Sequence, residues 1–243
     1  MLTANNNVGN RTLAKYAIKG EEFFCPLCCE KLILKRGMVR IPHFAHYAYN
    51  GCTFSGETIA HMEMKEIMAE KMTWLKGHWN NCTIRNIDIE KIYDSDGEKR
   101  ISDISVDDVT LSNYRYPINL AIECQHSPIL IEEIIKRNCF FKEVGYKPIW
   151  MFDFDSFIKE KTTYIGNGRF IRLPSVFSFM IDEKMPFYVL RRGDKNIFDL
   201  KIVDFKRMKG KPIESQCYCK TIAFYRLVFR NIKDLMYEFY DLI

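Results

Sequence analysis

The longest regular pattern in the chain is a helical repeat of apolar residues in SGETIAHMEMKEIMAEKMTWL, residues 55–75. Apolar side chains recur there every three or four residues, which places them on one face of an α-helix. This face carries Met64, Met68, Met72 and Leu75. Ser55 or Thr58 stands where the N-cap of the helix is expected. The pattern therefore predicts an amphipathic helix that packs its methionine face against a core.

The two segments that follow alternate apolar and polar residues with the period of a half-buried β-strand. They are TIRNIDIEKIY at residues 83–93 and RISDISVDDV at residues 100–109. The turn-forming sequence SDGE at residues 95–98 separates them, so we predict an antiparallel hairpin. YPINLAIEC at residues 116–124 is almost continuously apolar, which is typical of a central strand covered on both faces.

A second helix is predicted to start at Pro128 and to end at Gly145, a residue suited to the C′ position. KPIWMFDF at residues 147–154 follows it as another buried strand. The predicted order is α-β-β-β-α-β, which is the core order of restriction-endonuclease-like nucleases. Many other α/β domains share this order, so chemistry has to decide between them.

Length and composition fit a globular protein with one α/β core and a smaller module. The chain has 243 residues, of which 47% are hydrophobic and 28% charged. We divide it into an N-terminal segment rich in Cys and His at residues 1–54, a core at 55–155 and an α+β region of unknown role at 156–243. The mean hydropathy of −0.21 agrees with a water-exposed surface.

Charge and cysteine usage bear on partners and location. The net charge of +5 fits a nucleic-acid partner without requiring one. We read no secretory signal at the start, and no apolar stretch approaches the roughly 20 residues of a membrane span. We therefore expect a cytoplasmic protein without a membrane partner. Its nine cysteines are then expected to be reduced thiols or metal ligands, not a disulfide framework.

The N-terminal segment contains five potential metal ligands: Cys25, Cys28, His43, His46 and Cys52. A Cys-x2-Cys pair followed closely by His and Cys offers enough ligands for a tetrahedral, structural Zn²⁺. An extended backbone would point His43 and His46 to opposite sides. We favour Cys25, Cys28, His46 and Cys52, with His43 as the alternative ligand or a phosphate contact. The simpler alternative is a cluster of reduced cysteines beside two unrelated histidines.

Two strands of the predicted core carry acids that are expensive to bury. Asp103 lies in RISDISVDDV, and Glu123 lies in INLAIECQHS, two places before Gln125. On adjacent strands the two carboxylates could hold Mg²⁺ or Mn²⁺. This arrangement predicts a metal-dependent phosphodiesterase of the PD-(D/E)xK type, with Gln125 in the position usually taken by lysine. Alternatively, Asp103 ends a strand in a polar loop and Glu123 pairs with a lysine.

The first helix carries three polar residues near its apolar face. Glu57, His61 and Lys65 are spaced i, i+4 and i+8, so they share one side of the helix. If the first turns overhang the metal site, Glu57 could bind a second ion and His61 or Lys65 could contact phosphate. The alternative is a helix start that is exposed to solvent.

Together these motifs resemble the CoiA-like competence protein family. CPLC, PHFAHY, the Glu57-x3-His61-x3-Lys65 helix, SDI at Asp103, AIECQHS at Glu123 and GYKPIWMF occur in one collinear order over about residues 20–155. The resemblance implies a zinc-binding N-terminal element and a PD-(D/E)xK nuclease-like domain, with links to DNA uptake, recombination and mobile elements. The family's Glu-x-Gln variant matches Glu123 and Gln125.

Two positions depart from the family pattern. Phe141 stands where an aromatic hydroxyl is usual after Arg137, and His126 stands where a smaller residue is common. If the family's tyrosine touches substrate or Gln125, its replacement would reduce activity.

The sequence thus predicts a Mg²⁺- or Mn²⁺-dependent DNA endonuclease or nickase. Asp103 and Glu123 would bind the ion and Gln125 would orient water or phosphate. Glu57, His61 and Lys65 would assist from the helix. DNA is the expected partner, with recombination proteins as further partners. The alternatives are a DNA-binding recombination-accessory protein that does not cut, and a zinc-containing protein-interaction module without DNA affinity.

Overall fold

The computed structural model of this chain describes the backbone of residues 1–48, 51, 52, 54, 56–78, 80, 82–112, 116–158, 163–165, 168–172, 174–206 and 214–221. Side chains are described in the same ranges except 163–165, 168–172, 198–206 and 214–221. Ser55, one of the two predicted N-caps, lies outside the described residues.

The N-terminal segment forms a small antiparallel sheet. Its strands are β1 (Thr3–Asn6), β2 (Arg11–Leu13), β3 (Phe23–Phe24), β4 (Lys31–Lys35) and β5 (His43–His46), in the order β2-β1-β3-β4-β5. Phe23 and Phe44 pack in its core with ring centroids 4.8 Å apart. The CPLC motif occupies the connection between β3 and β4, which leaves its cysteines on a turn rather than in the sheet.

Helix α1 (Ile59–His78) confirms the predicted amphipathic helix. All four residues of the predicted apolar face are fully buried. The Thr58 hydroxyl accepts a hydrogen bond from the His61 amide at 3.2 Å, which caps the start of the helix as expected for an N-cap residue.

The predicted hairpin is also present. After the short strand β6 (Cys82–Thr83), β7 (Asn86–Ser95) pairs antiparallel with β8 (Glu98–Leu111). Asp96 and Gly97 form the turn with φ values of 51° and 83°. Two positive φ values are what a two-residue hairpin turn of type I′ requires, and Asp-Gly is a favoured sequence for it.

The remaining core elements follow in the predicted order. Strand β9 (Ile118–Gln125) pairs antiparallel with β8 and parallel with β10 (Lys147–Asp153), and α2 (Ile131–Glu143) connects β9 to β10. The helix begins at Ile131 and not at the predicted Pro128, because Leu130 keeps an extended backbone with φ −75° and ψ 143°. Gly145 has the predicted left-handed conformation after the helix, with φ 82°.

The sheet continues beyond residue 155. Its further elements are α3 (Phe154–Phe157), β11 (Thr163–Ile165), β12 (Gly168–Arg172), α4 (Ser175–Asp182), β13 (Phe187–Arg191), β14 (Asn196–Lys206) and β15 (Glu214–Thr221). The described strands follow the order β11-β12-β15-β14-β13-β10-β9-β8-β6, with β7 also on β8. Because β13 pairs parallel with β10, the three strands β9, β10 and β13 end at the same edge. The predicted division at residues 54 and 155 stays a prediction.

Alternate residues of the central strands pack on different helices. Ile149 and Met151 of β10 belong to the core that contains the buried face of α1. Trp150 and Phe152 belong to the core that contains Ile134 of α2 together with α4. The central sheet is therefore covered on both faces, as predicted for YPINLAIEC and its neighbour. None of the described helices is long and apolar enough to cross a lipid bilayer.

Candidate metal centres and their surroundings

Three buried acids lie side by side on adjacent strands. Lys91 of β7 pairs with Ser102 and Ile89 with Ile104, which places Glu90 opposite Asp103. Ile104 pairs in turn with Ile122, which places Asp103 opposite Glu123 of β9. The exposed fractions are 0% for Glu90, 8% for Asp103 and 2% for Glu123. Three carboxylates this deeply buried require positive charges or hydrogen-bond donors to compensate them.

Two cations provide much of this compensation. Lys65 of α1 is 1% exposed and its ammonium group contacts both Glu57 and Glu90. Arg137 of α2 donates from Nε to Glu123 Oε2 at 2.7 Å, with a second contact from Nη2 to the same oxygen. Arg137 Nη2 also donates to the Ile101 carbonyl at 3.0 Å. Cations from both helices therefore reach the row of acids, one from each face of the sheet.

His61 bridges two of the acids. Its Nε2 lies 3.0 Å from Asp103 Oδ2 and its Nδ1 lies 2.9 Å from Glu57 Oε1. Burial alone would lower the pKa of His61, but the charge of Asp103 and hydrogen bonds to both carboxylates raise the pKa to about 10. At neutral pH without a bound metal ion, His61 is therefore a positively charged imidazolium between two carboxylates.

Asp103 departs from the usual alternation of a strand. Ile104 packs in the core beneath α1, and Asp103 also contacts α1 through His61. Ser102 and Ser105, on either side of this pair, are hydrogen-bonded to each other at 2.7 Å. Asp103 Oδ2 accepts the Cys124 amide at 2.8 Å. Burial tends to raise the pKa of Asp103, but His61 and the nearby cations outweigh it and keep the pKa below its ordinary value.

Glu57 is held as an anion in the same way. Burial opposes its charge, but the His61 hydrogen bond and the Lys65 charge lower the pKa below its ordinary value. Its Oε2 lies 3.1 Å from the amino nitrogen of Met1. Glu57 lies two residues before α1 and not on the helix as the i, i+4, i+8 spacing predicted, but His61 and Lys65 of α1 both contact it. The start of the helix is therefore attached to the acids and is not free in solvent.

Glu123 is balanced differently. Burial raises its pKa to about 7, even though Arg137 favours the charged form. Its Oε1 is buried and has no hydrogen-bond partner among the described residues. A buried carboxylate oxygen without a donor is costly, and a cation at this oxygen would remove that cost.

The potential ligand atoms form one compact set. Glu57, His61 and Asp103 each offer an atom within 4.8 Å of the others. Carboxylate oxygens and an imidazole nitrogen suit Mn²⁺, and the carboxylates suit Mg²⁺. Glu123 is not a member of this set, and its carboxylate is paired with Arg137 of α2. The prediction that Asp103 and Glu123 bind the same ion stays a prediction.

Gln125 lies at the end of β9, where the sequence places it, but its amide is used locally. Its Nε2 donates to the Ser127 carbonyl at 2.6 Å and lies 3.3 Å from the Ser127 hydroxyl. The structure therefore brings together Glu57, His61, Lys65, Asp103 and Glu123, while the Gln125 amide is turned to the following loop.

Glu90 is the residue of this cluster that sequence reasoning missed. Its carboxylate accepts the amides of Leu2 at 2.7 Å and Thr3 at 2.9 Å, and the Thr3 hydroxyl at 2.7 Å. It therefore connects the N-terminal sheet to Lys65. In NIDIEKIY an acid at this position looks like an ordinary exposed strand residue. Its positive φ of 59°, which re-aims the side chain, has no signature in the sequence.

A second compact set lies in the N-terminal sheet. Ligand atoms of Cys25, Cys28, His46 and Cys52 lie within 4.8 Å of one another. Cys25 Sγ and Cys52 Sγ are 3.8 Å apart, and Cys28 Sγ is 3.3 Å from His46 Nε2. Zinc–sulfur bonds of about 2.3 Å in a tetrahedron would separate two sulfurs by about 3.8 Å. The set could therefore hold a metal ion such as Zn²⁺.

His43, the alternative ligand considered from the sequence, and Cys29, the cysteine next to the CPLC motif, lie outside this set. His43 Nδ1 is 2.9 Å from the Ile41 carbonyl, so its ring is engaged elsewhere. Cys29 is exposed in a left-handed turn with φ 60°. Burial raises the pKa of Cys25 to about 12, so its thiol stays protonated unless a cation binds it.

Comparison with known families places this geometry in context. Residues 6–55 match the family described as "Competence protein CoiA, N-terminal domain", and residues 57–201 match "Competence protein CoiA, nuclease-like domain". The nuclease-like match alone covers more than half of the chain, so the chain belongs to the CoiA family of competence proteins and contains a nuclease-like domain.

A named relative agrees with this assignment. The chain is 29% identical over 136 residues to "Competence protein CoiA" of Bacillus subtilis (strain 168). The aligned segment covers 55% of this chain and 32% of the relative, so the chain spans about a third of that protein's length. No solved structure matches the chain.

Proposed function

We propose that the nuclease-like domain is a Mg²⁺- or Mn²⁺-dependent DNA endonuclease or nickase on a PD-(D/E)xK-type core. The observation that carries the proposal is the cluster at the start of α1, in which Asp103 meets Glu57 and His61 directly beside Glu123. The partnerless oxygen of Glu123 and the hard donor atoms of the set fit a divalent cation.

In this proposal Asp103 and Glu123 hold the cation, and Glu57 supports it from the segment just before α1. A divalent ion there would offset charge on the scissile phosphate and lower the pKa of an attacking water. His61 is the residue that we expect to reach a phosphate, because 27% of its side chain is exposed. One of its ring N–H groups, which now donates to a carboxylate, would instead donate a hydrogen bond to a phosphate oxygen.

Lys65 has a different role from the phosphate contact considered from the sequence. Its side chain is 1% exposed and its ammonium group contacts Glu57 and Glu90. We assign it to positioning these carboxylates, since a phosphate cannot reach a side chain that is enclosed in this way. Gln125 could orient water or phosphate after releasing Ser127.

The N-terminal set would hold a structural Zn²⁺ through Cys25, Cys28, His46 and Cys52. Four protein ligands complete a tetrahedron, so no position is left for a reacting water. The ion would fix the turn between β3 and β4 against β5.

The proposal is tested by cleavage of supercoiled, linear and branched DNA with Mg²⁺ or Mn²⁺. We expect wild type to cut and both Asp103→Asn and Glu123→Gln to lose at least 100-fold in rate, a loss typical of removed electrostatic stabilisation at a reacting centre. Asp107→Asn, at an equally buried acid of the same strand, should cut at the wild-type rate. Metal-dependent cutting that survives in both site variants would refute the assignment.

The second candidate is a DNA-binding recombination-accessory protein that does not cut. It is favoured by the engagement of the Gln125 amide with Ser127 and by the enclosure of Lys65, which leave the position of the usual lysine without a cation. Salt-dependent DNA binding with no cutting under any metal condition would support it. Roles in DNA uptake, recombination or mobile elements, and recombination proteins as partners, belong to either candidate.

A further inference from the structure

A cavity opens at the sheet edge where β9 and β10 end. Its volume is about 230 Å³. Among the described residues its wall includes His126, Ile129, Ser156, Phe157, Ser175 and Val176. His126 follows β9 directly, and Ser156 and Phe157 lie in α3, which continues directly from β10. The cavity is therefore built on the same two strands that carry and flank Glu123.

The lining combines flat apolar walls with a polar rim. Phe157, Ile129 and Val176 offer apolar surface, while His126, Ser156 and Ser175 offer hydrogen-bonding atoms. Pockets for drug-sized ligands begin at roughly 300 Å³, so this cavity suits one small planar ring system. A nucleobase is such a group, since its faces are apolar and its edge carries donors and acceptors.

Ser156 is held in a defined orientation. Its hydroxyl donates to Asp153 Oδ2 at 2.7 Å, and Asp153 is completely buried at the end of β10. Arg192 fixes the other oxygen of Asp153 at 3.2 Å and contacts Glu63 of α1 at 2.6 Å. Because the Ser156 proton is committed to Asp153, its oxygen remains an acceptor for an amino or imino group.

His126 connects the cavity to the candidate nuclease site. Its Nε2 lies 3.1 Å from the Thr58 hydroxyl, which accepts the His61 amide at 3.2 Å. His61 in turn lies 3.0 Å from Asp103. Two residues therefore separate the rim of the cavity from the carboxylate that we expect to hold the cation. A nucleotide whose phosphate reaches His61 would have its base, or that of its neighbour, at this rim.

We propose that this cavity binds a single unpaired nucleobase next to the scissile phosphate, so that the preferred substrate is DNA with an unpaired nucleotide at the cleavage position. The placement beside the reacting phosphate rests on the proposed function. The base would stack on Phe157 and Ile129 and donate from its edge to Ser156. The site would select for DNA in which a base is already out of the duplex, since a base that is still paired and stacked cannot enter the cavity.

The test is a binding measurement that does not depend on cutting. Fluorescence anisotropy without divalent metal would compare a DNA duplex carrying one bulged adenosine with the same duplex carrying a bulged abasic site. Because a base stacked on an aromatic side chain adds affinity, we expect wild type to bind the bulged adenosine about tenfold more tightly. Ile129→Trp, which puts a larger side chain into the wall of the cavity, should reduce this ratio to less than about twofold.

Ile135→Trp is the matched control, because Ile135 is 40% exposed on α2 and is absent from the cavity lining. It should keep the tenfold ratio. Equal wild-type affinity for the two duplexes, or an unchanged ratio in Ile129→Trp, would overturn the proposal. A tenfold ratio in a protein that fails to cut would support the base site and refute only the nuclease. Cutting without any base preference would support the nuclease and refute only the base site.

Discussion

The two candidate metal centres of this chain are built in opposite ways. Cys25 and Cys28 lie in the connection between β3 and β4, His46 ends β5, and Cys52 follows this strand, so the whole set lies within one short stretch of sequence. The second set joins Glu57, just before α1, and His61 of α1 to Asp103 of β8, with Glu123 on the next strand. Sulfur donors select soft and borderline cations, whereas carboxylates select hard ones.

The two sets also differ in how their charges are balanced without a metal ion. Lys65, Arg137 and the His61 imidazolium already compensate the acids of the core. The cysteine set offers three thiols and one imidazole instead, and it lies against a small N-terminal core that includes Cys25, Phe23 and Phe44. We infer that an ion bound by the cysteine set would be needed for folding, whereas an ion bound by the acidic set would be needed only for the proposed cleavage.

The largest effect is expected from loss of the zinc ligands. Cys28→Ser should abolish binding of one zinc ion per chain and unfold the N-terminal sheet, since such ions contribute roughly 10–16 kcal/mol of apparent binding free energy in zinc-finger peptides. Elemental analysis and limited proteolysis within residues 1–54 would show it. Cys29→Ser, at the exposed neighbouring cysteine outside the set, should keep its zinc and its protease resistance. A zinc-free Cys28→Ser protein with an intact N-terminal sheet would show that the cysteine set does not need an ion for folding.

The next effect concerns the internal compensation of the acids. Lys65→Met should lower the free energy of unfolding by roughly 3–5 kcal/mol, because Glu57 and Glu90 would lose their buried cation. Urea denaturation in EDTA measures this without interference from divalent ions. Lys76→Met, at an exposed lysine of the same helix, should change stability by less than about 0.5 kcal/mol. Similar losses in both variants would show that Lys65 is not a buried counter-ion.

How far the sequence could predict these features depends on how local they are. The cysteine set, the methionine face of α1 and the Asp96–Gly97 turn follow from spacing and turn chemistry over a few residues. Asp103 and Glu123 were identified because an acid inside an apolar run is anomalous. Their partners were harder to identify, since register and helix packing decide which charge meets which acid.

Two features of the fold could not be predicted from the sequence. Glu90 enters the cluster through a left-handed backbone in the middle of β7, which no residue preference announces for glutamate. Strand β13 pairs parallel with β10 although many residues separate the two strands. Both strands therefore end at the edge of the sheet where the proposed nucleobase cavity lies. Both depend on tertiary packing that overrides local preference.

A third charged cluster, around Asp107, sharpens the comparison because no metal-ligand set was found in it among the residues that the structure describes. Asp107 of β8 accepts from Lys91 at 3.1 Å and from the Tyr146 hydroxyl, and is 4% exposed. Burial opposes its charge, but these two donors lower its pKa below the ordinary value. Its stabilising effect is therefore complete above the unfolded pKa of about 3.9 and is lost as the pH falls through the folded pKa.

Asp107→Asn should consequently cost about 2 kcal/mol at pH 7, as expected for hydrogen bonds to a charged group, and should flatten the loss of stability in acid. Thermal unfolding between pH 3 and 7 would measure both. Asp108→Asn changes a neighbouring acid whose side chain is 41% exposed, and it should change the free energy of unfolding at pH 7 by less than about 1 kcal/mol, as expected for an exposed ion pair. If EDTA lowered the free energy of unfolding through the Asp103 cluster and not through the Asp107 cluster, an ion at the acidic centre would be needed for folding.

The smallest effect is expected at Phe141, the position where the family usually has an aromatic hydroxyl. Phe141 is completely buried, with its ring edge-on to Tyr93 at 5.9 Å and the Arg137 guanidinium 5.9 Å from its centroid. A hydroxyl there would enter the core between α2 and the sheet, so Phe141→Tyr should cost about 1 kcal/mol in stability. DNA cleavage should stay within about twofold of wild type, since Phe141 supports Arg137 through its ring face. A gain of tenfold or more in cleavage would instead mean that this position reaches the reaction, and that the ion of the acidic centre works alongside a residue of α2.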